Sequence, residues 1–164
     1  LKLRLESINK NPVTQVALEI EFLEQKKEQN QVWQYYQINF FNGKEIYQFK
    51  SQNKETISAV GTVAEIGKFA FALEPFNEIK SLSNSLEQYL KSQKQSLRFE
   101  PADPSFELII EPLAIIGNEH NHKIYFWVDA GNTKELEYTW DSIGIRFICS
   151  NQALIDMLDQ LQQN

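Results

Sequence analysis

A single cysteine, Cys149, stands in the 164 residues of the chain, so an internal disulfide is impossible and a multi-thiolate metal site is excluded. A reducing cytoplasm is the compartment that this usage predicts. No run approaches the ~18 uninterrupted apolar residues of a membrane-spanning helix, and no surplus of positive charge exists to hold phosphate or anionic lipid. With 22 acidic and 16 basic side chains the net charge is -6, and the long-range field repels both. Neither nucleic acid nor membrane is an expected partner. A basic protein is the better electrostatic match, although surplus acid also serves ordinary solubility. Glycine-built signatures are missing too: no G-x-S-x-G, P-loop or G-x-G-x-x-G pattern occurs, nor does H-E-x-x-H. There is no fixed-period repeat, no linker beyond a mild Gln/Asn bias and no shift in composition, so residues 1–164 are expected to form one domain. The chain starts at Leu1 rather than Met, which points to an initiator or a longer N-terminal segment missing from it.

What is present suffices for a core. The 42% hydrophobic and 12% aromatic content belongs to a folded protein, and a chain of this length buries roughly two-thirds of the surface that its unfolded form exposes. The stretch from Lys68 to Glu111 reads as strand, helix, strand, strand, and the rest is organised around it. Phe76, Ile79, Leu82, Leu86, Tyr89 and Leu90 recur at helical steps and form one apolar stripe of a helix over 76–93, with Pro75 acceptable in its first turn. Phe69, Phe71 and Leu73 alternate ahead of it, and Phe106, Leu108 and Ile110 behind it, as half-buried strands do. A second helix is predicted over 152–162, capped by Ser150 or Asn151 and docked through Leu154, Met157, Leu158 and Leu161.

Strands account for most of the remainder. Leu1, Leu3 and Leu5 alternate with charges, and Val16, Leu18, Ile20 and Phe22 give the clearest period-two run. The polar segment 24–30 is predicted to be a solvated hairpin loop. The strand over 32–41 then carries Val32, Tyr36, Ile38 and Phe40 on a core face, yet also Trp33, Tyr35 and Phe41 on the other. Asn42-Gly43 marks a tight turn into 46–50, where Tyr47 and Phe49 share a side. Residues 57–66 favour strand over helix because Gly61, Gly67 and β-branched residues oppose a helix. Short strands follow at 97–100 and 106–111, either side of a rigid turn at 101–104. A hairpin is predicted from 124–130 and 133–140 around Gly131-Asn132, and Ile143, Ile145, Phe147 and Cys149 form one face of a last strand. The fold class is therefore α+β: mainly antiparallel sheet, as a layered sheet or a distorted sandwich, with one central amphipathic helix and one C-terminal helix.

Candidate chemistry is sparse. His120 and His122, with Glu119 beside them, are the only histidine cluster, and an extended backbone would set both imidazoles on one side. Gly117, Asn118 and Asn121 make this an exposed loop rather than a metal site, and the further ligands are not fixed. Glu100, Asp103, Glu107 and Glu111 bracket the 101–104 turn and have the types of an acid–base pair. No nucleophile or oxyanion-forming turn accompanies them, so they are expected to be solvated decoration. Cys149, on the presumed core face, is expected to be a small buried hydrophobe. No catalytic residue, metal or cofactor is assigned, and no small ligand is named.

The aromatic residues carry more. Trp33, Tyr35, Tyr47, Tyr125, Trp127, Tyr138 and Trp140 all fall in predicted strands, often beside polar residues. They serve either as core or as a recognition face, since Trp and Tyr combine area with a polar tip. Trp33, Tyr35, Tyr47, Trp127 and Trp140 are the partner-binding candidates. On the 32–41 strand, Trp33 is expected to stand exposed beside Gln37 and Tyr47, and Phe41 to be covered by the central helix or the 124–140 hairpin.

Antiparallel strands, an amphipathic helix like 76–90, an F-E-P turn at Phe99-Glu100-Pro101, an apolar strand at 106–110, a hairpin and a final strand running into a helix over 154–161 follow one another here. This order, spread over residues 13–161, resembles small bacterial proteins of the Wap-type immunity group. The resemblance implies non-catalytic protection of a cell by binding and neutralising a toxin domain. Three readings stand side by side: a cytoplasmic binding protein using an acidic or aromatic sheet face; a small enzyme or ligand-binding module with a pocket between sheet and helix lined by Trp127, Tyr138 and Trp140; and a homodimer that pairs a surplus aromatic face with its own symmetry mate.

Overall fold

The computed structural model describes residues 1–50, 57–59, 62–64, 69–102, 105–113, 119–129 and 141–163, with backbone alone at 49–50, 57–59 and 62–64. Among these residues the chain forms β1 (Lys2–Glu6), β2 (Val16–Glu28), β3 (Gln31–Asn42), β4 (Glu45–Lys50), β5 (Ile57–Ala59), β6 (Thr62–Ala64), β7 (Ala70–Glu74), α1 (Glu78–Ser92), β8 (Leu97–Phe99), β9 (Phe106–Pro112), β10 (Asn121–Asp129), β11 (Ser142–Ser150) and α2 (Asn151–Gln162). Strands β1, β2, β3 and β4 pair in that order, and β7 pairs with the first part of β3, beyond the end of β4. A second sheet runs β11-β10-β9-β8, and β5 pairs with β6. Every pairing is antiparallel. This is the α+β, mainly antiparallel architecture that the alternating pattern predicts, with a mid-chain helix and a C-terminal helix.

Period-two alternation explains the core. Leu3 and Leu5 stand opposite Ile20 and Leu18, which stand opposite Ile38 and Phe40, so one face of the first sheet is apolar throughout. The second sheet turns Phe106, Leu108 and Ile110 inward beside Ile124, Phe126 and Val128. The two inner faces meet through aromatic rings: Phe40 lies edge-on to Phe126 at 5.9 Å, and Phe71 and Tyr36 each lie edge-on to Phe106 at 5.9 Å. The hydroxyls of Tyr36 and Ser105 share a short hydrogen bond across the same interface. Both helices enter this core. They pack on one another, α1 against β7 and β8, α2 against β1 and β11. None of the described helices is long and apolar enough to cross a membrane.

Helix α1 starts where Asn77 accepts the Lys80 N–H at 2.8 Å, and ends where Gln93 turns left-handed at φ 49° and bonds Tyr89 O. Ile79, Leu82, Leu86 and Tyr89 are its buried stripe. Phe76 is not part of it: the cap at Asn77 leaves Phe76 ahead of the helix, 63% exposed. Pro75 likewise precedes the helix, in a cis Glu74-Pro75 peptide. In α2 the cap is Ser150, whose hydroxyl accepts the Ala153 N–H at 3.2 Å, and Leu154, Met157 and Leu161 are buried while Leu158 is half-buried.

Three expectations change. The polar segment 24–30 is not a loop: β2 runs on to Glu28 past an irregularity between Phe22 and Gln25, and Gln25–Glu28 pair with Gln31–Gln34. Two strands satisfy each other's backbone whatever their side chains, so polarity alone did not end the ladder. The β3–β4 turn is Gly43-Lys44 rather than Asn42-Gly43, with Asn42 already paired to Glu45. Gly43 has φ +58°, and a Cβ there would stand 2.1 Å from Val13 O, so both conformation and space require glycine. Finally, β10 lies between β9 and β11. The expected return strand at 133–140 and the 51–56 loop lie outside the described residues, while β5 and β6 bear out strand over helix within 57–64.

Candidate functional site

Of the five aromatic candidates, Trp140 lies outside the described residues, and the other four do not form one patch. Trp33 and Tyr35 lie on the outer face of the first sheet, opposite the buried Tyr36, whereas Tyr47 pairs with Phe40 and so lies on the inner side. Tyr47 is therefore not the neighbour of Trp33 that strand spacing alone suggested. No described helix covers that outer face at Tyr35 and Phe41: the Lys26 ammonium sits 5.0 Å above the Tyr35 ring and the Arg4 guanidinium 4.7 Å above Phe41. Tyr35 is 8% exposed, while Trp33 and Phe41 are half-buried. Between them runs a buried polar chain in which Gln37 donates to Asn39 (2.7 Å), Asn39 donates to Glu19 (3.0 Å), and Arg4 donates to Glu19 (3.3 Å). Its members satisfy one another.

Trp127 and Tyr47 are brought together in another way, on opposite sides of β11. Trp127 alternates with the fully buried Phe126 and Val128 and faces outward from the second sheet, half-buried beside Gly144 of β11. A Cβ on Gly144 would lie 2.4 Å from the indole Cε3 and 2.3 Å from Phe126 O, so glycine alone lets the indole lie over the strand. Tyr138 and Trp140, expected to line a pocket with Trp127, lie outside the described residues. On the other side of β11 an apolar groove of about 420 Å³ runs between the two sheets, lined by Val16, Phe40 and Tyr47 from the first and by Ile143, Gly144 and Ile145 from the second. Ile143 stands at its mouth, 52% exposed. The Tyr47 hydroxyl donates to Glu45 Oε2 at 2.7 Å, and that hydrogen bond, with the carboxylate's charge behind it, raises the phenol above its ordinary pKa.

The backbone between Tyr47 and Trp127 is the edge of a sheet. Ile148 O accepts the Ile8 N–H at 2.9 Å on the side away from β10. Because peptide direction alternates along a strand, Arg146 and Gly144 present N–H and C=O the same way. No described residue bonds to them. Among the described residues the segment 143–146 therefore has no partner for these backbone donors and acceptors, with an apolar groove on one flank and an indole on the other. Nothing in composition marked Gly144 or Arg146. The readable signal was Ile143 and Ile145 continuing an inner-face alternation that Phe147 and Cys149 already satisfy.

The remaining candidates are dispersed. His120 is exposed, whereas His122 is buried with both nitrogens engaged: Nδ1 with the Tyr89 hydroxyl at 2.7 Å, and Nε2 with Asn151 Oδ1 at 2.8 Å. Burial, foremost, lowers the His122 pKa and raises that of Tyr89. Cys149, fully buried opposite His122, is pushed up to about 12 by the same desolvation. No group of three His, Cys, Asp or Glu among the described residues could hold a metal ion. Glu107 is engaged by Arg98 Nε at 2.9 Å, Glu111 stands opposite Lys123, Glu100 is exposed, and Asp103 lies outside the described residues. Comparison with protein-family models, with curated proteins and with solved structures finds no match to this chain.

Proposed function

We propose that this chain is a soluble, cytoplasmic, non-enzymatic binding protein that takes an extended segment of a protein partner along the edge of β11 that no described residue pairs. The observation that carries this reading is the outward-facing backbone of Gly144 and Arg146, set between the Val16–Phe40–Tyr47 groove and Trp127. An added strand gains its affinity from main-chain hydrogen bonds and its specificity from alternate side chains. Here one side chain in two would enter the apolar groove and the next would meet the indole. The resemblance to Wap-type immunity proteins gives such a partner a role, a toxin domain held inactive by occupation, and the net charge of -6 favours a basic one.

Arg146→Pro tests it. Its N–H points away from β10, so proline removes an edge donor without removing a ladder bond, the one strand setting that proline tolerates. Capture of partners from a lysate of the source cells should fall at least about tenfold with Arg146→Pro, the loss of a backbone hydrogen bond and of strand geometry together. Arg98→Ala, on the far edge strand β8, should leave capture unchanged. Equal loss with both variants, or with neither, would sink the proposal. A second reading, pairing of β11 with its own copy, rests on the same edge, and a sedimentation mass of two chains that Arg146→Pro converts to one would establish it instead.

A further inference from the structure

A second cavity, remote from β11, has a different chemistry. It is a cleft of about 380 Å³ where the far end of the β2–β3 ribbon, β7, the first turns of α1 and the last turn of α2 come together. This volume falls within the range of small-molecule sites. One wall is held rigidly: the Gln34 carboxamide donates to Tyr35 O at 2.9 Å and Leu23 O at 3.2 Å and accepts from Gln25 Nε2 at 3.0 Å. That bond leaves Gln25 Oε1 as an open acceptor. Opposite, Asn77 spends its oxygen on the helix cap, so its Nδ2 remains a donor. Ser83 is the informative residue. It is 6% exposed and lines the cleft, and its hydroxyl makes no hydrogen bond to any other described residue. Its Oγ is not among the sealed, unsatisfied atoms of the described residues, so the hydroxyl opens into the cleft and is available to a ligand there. Asn84 and Gln162, both exposed at the mouth, add further carboxamides, while Leu73, Ile79 and Leu161 give an apolar floor.

We infer that this cleft binds a neutral polyhydroxylated molecule the size of a monosaccharide. Sugar hydroxyls both donate and accept, as carboxamides and Ser83 do, and a sugar ring has a C–H face for the apolar floor. Among the described residues Lys80, exposed at the rim, is the one ionisable group lining the cleft, so the interior they form matches a neutral ligand better than an ion. A ligand this small and this solvated binds in the millimolar range.

The test is a titration of the ¹⁵N-labelled full chain with methyl glucoside, methyl galactoside and N-acetylglucosamine in parallel, with glucuronate as the charged control. The expected result is a saturable shift of the Gln25, Ser83 and Asn84 resonances with at least one neutral sugar, without change at Gly144 or Arg146. Asn84→Ala, a surface change, should weaken that sugar about three- to tenfold, and Ser83→Ala should do the same at unchanged melting midpoint. No saturable shift with any neutral sugar, tighter binding of glucuronate, or shifts that both variants leave intact would overturn the inference. Neither result bears on β11, so this site and the edge stand or fall separately.

Discussion

Glu78 receives N–H groups from two segments that no sequence periodicity links. Ala72 of β7 donates to Oε2 at 2.6 Å, and Ala102, in the turn after β8, donates to Oε1 at 2.5 Å. The carboxylate sits in the first turn of α1, where the helix dipole also favours it. Glu78→Ala leaves two amides without an acceptor and is expected to cost about 3 kcal/mol, read as a lower urea midpoint at constant slope. A midpoint unchanged would mean that water replaces the carboxylate at both amides. His122 gives a second residue-scale expectation. Asn151 Oδ1 also accepts from Gln93 at 3.3 Å, which places the imidazole proton on Nε2 and leaves Nδ1 to accept from Tyr89. Burial lowers its pKa below the ~6.5 of the unfolded chain. Between those two values the unfolded state binds a proton that the native state does not, so this contribution to stability is lost as pH falls below ~6.5. The native imidazole resonance should titrate with a midpoint under that value; a midpoint at or above it would contradict the buried neutral assignment. Neither role was legible beforehand, because a carboxylate or an imidazole acquires its partners from distant segments.

At the scale of elements, legibility followed how much of the signal was local. The stripe of α1 and the docking residues of α2 were readable from steps of three and four, and the structure moves their ends by a residue or two at caps that were themselves readable or nearly so. Leu86, 1% exposed at the centre of the α1 stripe, should lose about 2 to 5 kcal/mol on replacement by Ala. A smaller loss measured by denaturation would show that neighbouring side chains close the cavity. Phe76 looked equally good by spacing and lies outside the helix, because one Asn in the capping position outweighs an apolar residue in register. The extended β2–β3 ribbon failed for the opposite reason. Its residues 25–28 are all polar, and only pairing with 31–34, invisible in either segment alone, makes them strand.

At the scale of the whole molecule, two apolar faces account for the fold, and their meeting leaves an edge. Alternation assigned inner and outer faces correctly for β1, β2, β3, β9 and β11, so the core was largely readable. Which strand would lie at an edge was not, since edge position depends on the order of strands in the sheet and not on their composition. That is why Trp127 and Tyr47 were singled out as aromatics while the backbone between them went unnoticed. Amide exchange offers a test that needs no mutation. In β11, Ile145 and Phe147 point their N–H groups at β10 and should be protected to near the global unfolding limit, whereas Gly144 and Arg146, in the same strand and between the same neighbours, should exchange orders of magnitude faster. The alternation should appear at low protein concentration, where self-pairing is negligible. If it vanishes on concentration, the edge closes on a second copy. If Gly144 and Arg146 are as protected as Ile145 in the dilute monomer, the edge is already paired and cannot accept a partner strand. Protection that rises at these two amides alone when a partner is added would locate the new strand on β11, because only a group bonding from the open side can shield an N–H that β10 does not face.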